Sequence, residues 1–430
     1  MKRLDLFPIT TKIENNELSI ARINLKNLAD EFNTPLYIYD KATLDSSVTE
    51  YKNALASYYG THASVTYAGK AYLCTAIAQW TQLHNLTLDC TGEGEIHIAL
   101  NAKVKRENIL VHGVNKSDAD LKSAIQHAGT IVVDNLTELE RITQLFTRHS
   151  SLNLWLRLLP GVTVSTHHAH TQTGHHESKF GMAREEILQA AEFCKKNKMP
   201  LKGLHFHQGS NFRDPEPLIP AIDLALDIAK EIGFDDEWHF CPGGGWGVAY
   251  HEDELPHPSI EHYVKGICEA VIEGCEKRNL SLPHLHLEPG RSLVARAGVA
   301  IYRVGAIKKR ENKTWVLVDG GMADNPRYAM YGARYSCLAV SGVTEERSEV
   351  ISVAGPYCES GDVIFEDLPM SKLKTGDLIA VPMSGAYHLS MSSNYNGARK
   401  PAVYMLENGE AKLIQKRETL DDLLRRDVKL

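Results

Sequence analysis

The stretch from Trp238 to Gly245, WHFCPGGG, is a short apolar run that ends in a proline and three consecutive glycines. Such a run, bounded by turn residues, predicts a buried β-strand followed by a tight turn. Similar runs recur along the chain, with helical segments between them. They are SVTYAGKA from Ser64, LTLDCT from Leu86, NILVHG from Asn108, TIVVDN from Thr130, NLWLRLLP from Asn153, LKGLHFHQGS from Leu201 and PHLHLEPGR from Pro283.

Eight strands in series, each followed by a helix, predict a (β/α)8 TIM-type barrel, which we assign to residues 35–295. The segments DADLKSAIQHA from Asp118 and REEILQAAEFCKK from Arg184 carry apolar residues at three- and four-residue spacing. This spacing predicts amphipathic helices, which we expect to form the outer ring of the barrel.

The character of the sequence changes after Arg291, where β-rich pieces such as KTWVLVDGG and AVYMLENGEAKLIQKR are separated by Gly, Pro and Asn turns. These pieces predict a mainly antiparallel β-sandwich or β-barrel domain over residues 296–430. The strand-like segment ELSIARINL from Glu17 indicates that residues 1–34 join the same domain.

The composition, with 43% hydrophobic and 23% charged residues in 430, is typical of a globular protein. A net charge of −7 argues against nucleic-acid binding, which needs a surplus of Lys and Arg. No apolar run is long enough for a membrane span, and the N-terminus lacks a secretory apolar region, so we expect a cytoplasmic protein. The eight cysteines lack CxxC spacing, which favours buried thiols over disulfides or a zinc site.

Residues able to carry chemistry lie at the carboxyl ends of the predicted strands, where barrels of this class place their active sites. Taken alone, Lys70 at the end of the first strand is best interpreted as a solvated loop cation, and GGG is compatible with any tight turn. Other strand ends carry further polar residues. The whole set is Lys70, His207, Ser210, Gly243, Gly244, Gly245, Glu288, Gly290 and Arg291, and it predicts a site for a phosphate-bearing ring.

Three of these residues suit particular parts of such a ring. A carboxylate such as Glu288 at a barrel mouth is costly without a partner, and a pyridinium nitrogen is a suitable one. Arg291 supplies a fixed positive charge for a phosphate or carboxylate. His207 offers a flat ring that can stack on an aromatic cofactor, although a single strand histidine is more often a core residue.

Several motifs in fixed order resemble those of the fold-type III pyridoxal phosphate-dependent decarboxylases. They are TPLYIYD from Thr34, YAGK from Tyr67, HGVNKS from His112, SKFGM from Ser178, HFHQGS from His205, GGGWG from Gly243, EPGR from Glu288, RYAMYGARY from Arg327, YCESGD from Tyr357, and GAY and NYN from Gly385 and Asn394. The resemblance covers about residues 34–402 and is nearest to the branch that acts on meso-2,6-diaminopimelate. It implies an alanine-racemase-like barrel, pyridoxal 5'-phosphate as cofactor, and decarboxylation to L-lysine in lysine biosynthesis.

Carried over position by position, the resemblance makes Lys70 the Schiff-base lysine, His207 the ring-stacking residue and Glu288 the partner of the pyridine nitrogen. It places Cys358 as the proton donor and Tyr387 against cofactor and substrate. The residues around the phosphate would be Ser210, Gly243, Gly244, Gly245, Gly290 and Arg291. The residues that bind substrate would be Arg291, Arg327, Tyr331, Glu359 and Tyr387.

In this family the segment that bears the equivalents of Cys358 and Glu359 comes from the neighbouring subunit. The resemblance therefore implies a homodimer with the active site at the subunit interface, to which the β domain contributes substrate-site and interface residues. For Cys358, the alternative is an ordinary packed thiol.

The opposite charges of Arg327 and Glu359 favour diaminopimelate over ornithine, which has no far carboxylate for an arginine to hold. The chain also departs from the family pattern at Tyr328, which replaces a proline, at Glu93 within TGEGE, and in the CPGGG approach to the glycines. These departures leave open a related decarboxylase that acts on another amino acid or on an aminoacyl group attached to a carrier.

Two other interpretations carry less weight. Retention of Lys70, Glu288, Arg291 and Cys358 argues against a non-catalytic regulatory homologue. A histidine-rich segment could suggest a metal site, but without an accompanying acid in helical spacing it reads better as a polar lid, and we expect no metal. Its histidines are His167, His168, His170, His175 and His176.

Overall fold

The computed structural model describes residues 2–145, 152–161 and 177–430, and the chain forms two compact units. The barrel unit comprises Val48–Gly247 and Pro258–Ser292. The sheet unit comprises Met1–Ser47, Val248–His257 and Leu293–Leu430. Within the described ranges, no helix has the length and apolar character that a membrane crossing requires.

The sheet unit begins with a small antiparallel sheet, one helix and one buried strand. These are β1 (Lys12–Glu14), β2 (Glu17–Ile20), β3 (Ile23–Asn24), α1 (Leu25–Phe32) and β4 (Leu36–Asp40). Asn24 caps α1, since its side-chain oxygen accepts a hydrogen bond from Asn27 N at 3.0 Å. Leu18 N donates to Val340 O at 2.8 Å, which ties the small sheet to the C-terminal part of the same unit.

The barrel unit is built on eight parallel strands that close into a barrel. They are β5 (Ala63–Ala68), β6 (Thr87–Thr91), β7 (Ile109–His112), β8 (Thr130–Val133), β9 (Asn153–Arg157), β10 (Leu201–His205), β11 (His239–Cys241) and β12 (His284–Leu287). The barrel closes where Leu285 of β12 pairs with Ala63 of β5. Each strand corresponds to one of the quoted runs, so the predicted (β/α)8 barrel is confirmed.

Helices alternate with these strands along the chain. They are α2 (Lys41–Tyr58), α3 (Thr75–Leu83), α4 (Glu93–Asn101), α5 (Asp118–His127), α6 (Leu136–Leu145), α7 (Arg184–Asn197), α8 (Ile219–Ile232), α9 (Ile260–Arg278) and α10 (Arg291–Val294). Helix α5 shows how the sequence starts them: Asp120 N donates to Ser117 Oγ at 3.1 Å, and Ser117 N donates to Asp120 Oδ2 at 2.9 Å. This capping box satisfies amide groups that the first turn leaves without helical partners.

The C-terminal part of the sheet unit completes a large mixed sheet. Its elements are β13 (Gly298–Lys309), β14 (Thr314–Val318), α11 (Arg327–Tyr331), β15 (Leu338–Ala339), β16 (Glu349–Ala354), β17 (Val363–Met370), β18 (Leu378–Val381), β19 (Ala402–Glu407), β20 (Glu410–Gln415) and α12 (Leu420–Leu424). The main strand order is β17-β16-β14-β13-β4-β19-β20, while β18 pairs with β13 and β15. Pairing is antiparallel except for β14 with β16 and β4 with β19, so the predicted mainly antiparallel domain is confirmed.

The unit bounds differ from the predicted 35–295 barrel at three places, because residues 35–47, Val248–His257 and residues 293–295 belong to the sheet unit. Strand β4 pairs with β13 and β19, and therefore lies in the sheet unit. A buried strand followed by a helix has the same local pattern in either unit, because strand partners are chosen by tertiary contacts. Short 3-10 helices complete the description, at Lys2–Leu6, Gly69–Ala71, Arg106–Asn108, Glu216–Leu218, Glu252–Glu254, Leu389–Met391 and Tyr395–Gly397.

Candidate active site

The carboxyl ends of the barrel strands meet at one rim, and four of the predicted site segments follow these ends. Lys70 lies in the 3-10 turn directly after β5 and is exposed. His207 lies just beyond β10, the triple glycine lies just beyond β11, and Glu288 immediately follows β12. The barrel topology therefore brings these four features to the same rim.

Glu288 is a buried carboxylate, and each of its oxygens is hydrogen-bonded to a histidine. His112 Nε2 lies 3.0 Å from Glu288 Oε1, and His205 Nε2 lies 3.0 Å from Oε2. Burial raises the pKa of Glu288, but the two histidines outweigh burial and hold that pKa well below its usual range. Glu288 is therefore a fixed negative charge inside the barrel.

His112 and His205 are neutral donors to that charge. Burial lowers the pKa of both imidazoles, that of His205 to about 4. Both residues lie within the motifs HGVNKS and HFHQGS, but the sequence alone assigns them no role. Their position could have indicated a role in the site, because His112 is the last residue of β7 and His205 is the last residue of β10.

Asp89 of β6 is a second buried carboxyl group beside this cluster and was also missed. Its Oδ1 lies 3.9 Å from His112 Nε2. Burial and the negative charge of Glu288 raise the pKa of Asp89 to about 7. Since two neighbouring buried carboxyl groups resist ionising together, Glu288 carries the charge and Asp89 keeps its proton more readily.

His112, His205 and Glu288 also have ligand atoms within 4.8 Å of one another, a spacing that a metal ion could use. In this structure the same atoms are hydrogen-bonded to each other. The histidine-rich segment 167–176, considered above as a metal site or a polar lid, lies outside the described residues.

The glycine loop after β11 packs too closely for any side chain. A Cβ on Gly244 would lie 1.9 Å from Glu288 O, and one on Gly245 would lie 2.3 Å from Gly209 O. Gly243 and Gly245 also have φ angles of 76° and 103°, which favour glycine. The fold therefore requires these glycines, and their bare backbone can approach an anion closely.

Arg291 and Ser210 lie together in the barrel unit, as a phosphate site would need. Arg291 Nη2 donates to Ser210 Oγ at 3.1 Å, and the arginine is only 8% exposed. Gly290 lets this segment approach the lysine turn, because a Cβ there would lie 3.1 Å from Ala68 Cβ and Ala71 Cβ. The contact joins the Arg291 segment to the turn that holds Lys70.

His207 is half-buried beside the glycine loop, where Gly244 N lies 3.4 Å from its Nδ1. Burial, with the positive charges of Lys70 and Arg157, lowers the pKa of His207 well below its ordinary value. A neutral imidazole in this position is suited to stacking on a flat ring.

Arg327 is a buried guanidinium in the sheet unit, where it begins α11. Its Nη1 donates to Tyr335 OH at 2.6 Å, and its Cζ lies 4.3 Å from the centre of the Tyr250 ring. Arg327 Nε is buried and has no hydrogen-bond partner within the described structure. A buried donor without a hydrogen-bond partner costs free energy, so a carboxylate that accepts from Nε would bind this guanidinium favourably.

The other predicted residues of the sheet unit are half-buried or exposed. Tyr331 ends α11, and Tyr387 has a left-handed backbone with φ 61°. Cys358 is exposed, whereas the other seven cysteines are buried, and all eight are free. Its backbone N–H donates to Asn396 Oδ1 at 2.9 Å, and the adjacent Glu359 is exposed. An exposed thiol contrasts with the packed thiols expected for most cysteines here.

The departures from the family pattern have local explanations. Tyr328 follows Arg327 in α11, and its hydroxyl donates to Glu366. Glu93 begins α4 after Gly92, whose φ is 84°. Cys241, in the approach to the glycines, accepts a hydrogen bond on Sγ from Gly243 N at 3.4 Å. The Arg327 contacts described above involve none of these three side chains. Cys241 does interact with Glu288: burial, and then the Glu288 carboxylate, raise the pKa of its thiol well above the ordinary value.

The barrel rim fits pyridoxal phosphate. An exposed primary amine, an ionised carboxylate and a side-chain-free loop with an adjacent Arg–Ser pair match the aldehyde, ring nitrogen and phosphate of that cofactor. The match is chemical: each group of the cofactor finds a residue type able to bind it.

Comparison with known proteins points in the same direction. Residues 42–295 match the family model "Pyridoxal-dependent decarboxylase, pyridoxal binding domain". Diaminopimelate decarboxylase of Bacillus subtilis (strain 168) is 38% identical, with 96% of each chain covered. Among solved structures, diaminopimelate decarboxylase from M. jannaschii has a TM-score of 0.88 and 30% identity, covering 98% of each chain. The Helicobacter pylori enzyme complexed with L-lysine has a TM-score of 0.83 and 32% identity, covering 94% of this chain and 98% of that one.

Proposed function

The chain belongs to the diaminopimelate decarboxylases, a branch of the pyridoxal-dependent decarboxylases, and we propose that it converts meso-2,6-diaminopimelate to L-lysine and carbon dioxide. It is a pyridoxal phosphate-dependent amino-acid decarboxylase of lysine biosynthesis. The observation that carries the proposal is the buried, ionised Glu288 on the same rim as Lys70 and the glycine loop.

Each residue of the rim has a proposed task in holding the cofactor. Lys70 Nζ would bind it covalently, His207 would stack on its ring, and Glu288 would neutralise its ring nitrogen. The phosphate would lie among Ser210, Gly243, Gly244, Gly245, Gly290 and Arg291. When bound, pyridoxal phosphate supplies an electron sink for the charge left by decarboxylation.

The substrate assignment rests on charge at the end of the substrate that does not react. The product L-lysine keeps one carboxylate, and Arg327 has a buried donor without a partner for such a group. We assign Arg291, Tyr331 and Tyr387 to the same substrate set. Glu359, which is exposed, would pair with the far amine.

We further propose that the enzyme is a homodimer in which Cys358 and Glu359 of the partner subunit complete each active site. The exposure of both residues supports this assignment, because a thiol and a carboxylate on the surface of one copy are accessible to another. Cys358 would deliver the proton that replaces the lost carboxylate. Eight free cysteines suit a reducing compartment, which supports a cytoplasmic location.

A substrate panel tests the function. Purified protein supplied with pyridoxal phosphate should absorb visible light, retain cofactor on Lys70 after borohydride reduction, and release carbon dioxide from meso-2,6-diaminopimelate. Release from lysine, ornithine or arginine should be at least about 100-fold slower, as expected when a site that pairs a carboxylate meets a substrate lacking it. Faster turnover of any other amino acid, or of a carrier-bound aminoacyl group, would overturn the substrate assignment.

A further inference from the structure

A chain of buried hydrogen bonds runs through the sheet unit from Arg327 to Asp324. Arg327 Nη1 lies 2.6 Å from Tyr335 OH, which lies 2.8 Å from His388 Nε2. His388 Nδ1 lies 3.4 Å from Tyr37 OH, which donates to Asp324 Oδ2 at 3.0 Å. All five residues are buried, and His388 is 0% exposed. The chain therefore connects a cation to a carboxyl group entirely inside the protein.

The direction of each hydrogen bond in this chain follows from its ends. Arg327 can only donate, so Tyr335 accepts from it and has its own proton left to donate to His388 Nε2. His388 then carries its proton on Nδ1 and donates to Tyr37, whose proton goes to Asp324. Burial, with the charge of Arg327, lowers the pKa of His388 well below its ordinary value, in agreement with a neutral ring.

The far end of the chain is firmly held. Asp324 Oδ2 also accepts from Tyr302 OH at 2.6 Å, and Asp324 Oδ1 accepts from Gly321 N at 2.9 Å. Because several donors fix the Asp324 carboxylate, it holds the Tyr37 hydroxyl in place. Tyr37 in turn fixes His388, and His388 fixes the position of the Tyr335 oxygen that accepts from Arg327. Hydrogen bonds linked in series in a dry interior reinforce one another.

We propose that His388 is a positioning residue for substrate recognition: acting through Tyr335, it orients Arg327 so that the unpartnered Nε edge receives the carboxylate that the product retains. Tyr335 occupies Nη1, and the Tyr250 ring lies against the guanidinium. With Nη1 and one face engaged, the Nε edge is left for a carboxylate. The inference rests on the proposed function, since it assigns Arg327 to the far carboxylate of diaminopimelate.

The experiment that tests this role compares two ligands of the holoenzyme that differ only in that carboxylate. L-Lysine retains it, and cadaverine (1,5-diaminopentane) lacks it. Binding of each is followed by the change in cofactor absorbance in wild type, His388→Phe and Tyr335→Phe. We expect the Kd for L-lysine to rise about 10-fold in both variants, as for the loss of about 1.4 kcal/mol, while the Kd for cadaverine changes less than about 2-fold.

Steady-state kinetics and three further variants sharpen the comparison. The KM for diaminopimelate should rise about 10-fold with kcat nearly unchanged, and the double variant should lose no more than either single one. His388→Gln, which keeps an acceptor for Tyr335, should recover part of the loss. The matched control is Tyr59→Phe, which removes a half-buried hydroxyl that donates to Pro283 O at 3.0 Å in the barrel unit, and it should leave both Kd values unchanged.

The outcomes separate the inference from the function on which it rests. Suppose that the wild type is active and that His388→Phe weakens the binding of lysine and cadaverine equally, or weakens the binding of neither. That result would overturn the positioning role and leave the proposed function unaffected. A wild type that does not turn over diaminopimelate would overturn the function itself. If His388→Phe does not fold, Tyr335→Phe and His388→Gln decide between the same two ligand responses.

Discussion

At the residue scale, the centre of the site is a pair of buried carboxyl groups whose pKa values are shifted in opposite directions. Glu288 receives hydrogen bonds from two histidines, and Asp89 receives neither of these and lies 3.9 Å from His112 Nε2. The two histidines therefore keep Glu288 charged against the effect of burial, whereas burial and the charge of Glu288 raise the pKa of Asp89 to about 7. Two predictions follow from this difference.

The first concerns Glu288→Gln. An amide cannot neutralise a positive ring nitrogen, so we expect kcat to fall about 100-fold or more. Lys70 should still bind the cofactor covalently, which borohydride reduction and mass spectrometry would show. Full activity in Glu288→Gln would contradict the role assigned to the carboxylate, whereas loss of the adduct would point to a damaged site.

The second concerns Asp89→Asn in the cofactor-free enzyme. The folded pKa of Asp89, about 7, exceeds the unfolded value of about 3.9, so the folded state holds this proton more tightly. The group's contribution to the free energy of unfolding is then largest below about pH 4 and declines until about pH 7. The quantity to compare is the free energy of unfolding of Asp89→Asn minus that of wild type. This difference should be more favourable to the variant at pH 8 than at pH 4.5, by at least about 1 kcal/mol.

Thermal or urea unfolding of both proteins at the two pH values measures this difference. Groups that titrate in the same way in both proteins contribute equally to the two free energies and do not affect it. A stability difference that is the same at both pH values would show that Asp89 titrates normally in the folded enzyme.

At the element scale, the β11 loop and the end of β12 depend on each other. A Cβ on Gly244 would lie 1.9 Å from the carbonyl oxygen of Glu288, so the residue proposed to pair with the ring nitrogen and the glycine loop share one close backbone contact. GGG alone was compatible with any tight turn, and the reason for the central glycine appears only when the neighbouring strand is present.

Gly244→Ala should therefore displace β12 and abolish cofactor binding, since its methyl group would meet a backbone atom. The matched control is Gly94→Ala in α4, where an added Cβ meets nothing within 4 Å. That change should raise stability by up to about 1 kcal/mol because alanine is a better helix former. Equilibrium dialysis with pyridoxal phosphate and thermal unfolding compare the two; normal cofactor affinity in Gly244→Ala would refute the close-contact argument.

At the scale of the whole molecule, the proposed dimer makes a quantitative prediction. Lys70→Ala and Cys358→Ala should each be nearly inactive alone. If Cys358 of the partner subunit completes each site, mixing the variants and allowing subunits to exchange should restore about a quarter of wild-type activity, because half of the dimers each regain one intact site. Sites made from a single chain would give no restoration, and mixing two samples of the same variant provides the control.

Much of the fold was predictable because its signals are local. Short buried runs between amphipathic segments identified all eight barrel strands, and the order of motifs identified the family. The pairing of β4 with β13 and β19 was not predictable, since a buried strand before a helix has the same pattern whichever sheet it joins.

The sequence by itself determined which residue types stand at the strand ends, and a barrel places strand ends together, so Lys70, His207, the triple glycine and Glu288 could be grouped in advance. Only the tertiary structure decided their protonation and support: His112 and His205 on Glu288, Asp89 beside them, and the buried chain from Arg327 through His388 to Asp324. The physical reason is that charge and hydrogen-bond direction depend on burial and on partners distant in sequence, which residue spacing along one chain does not encode.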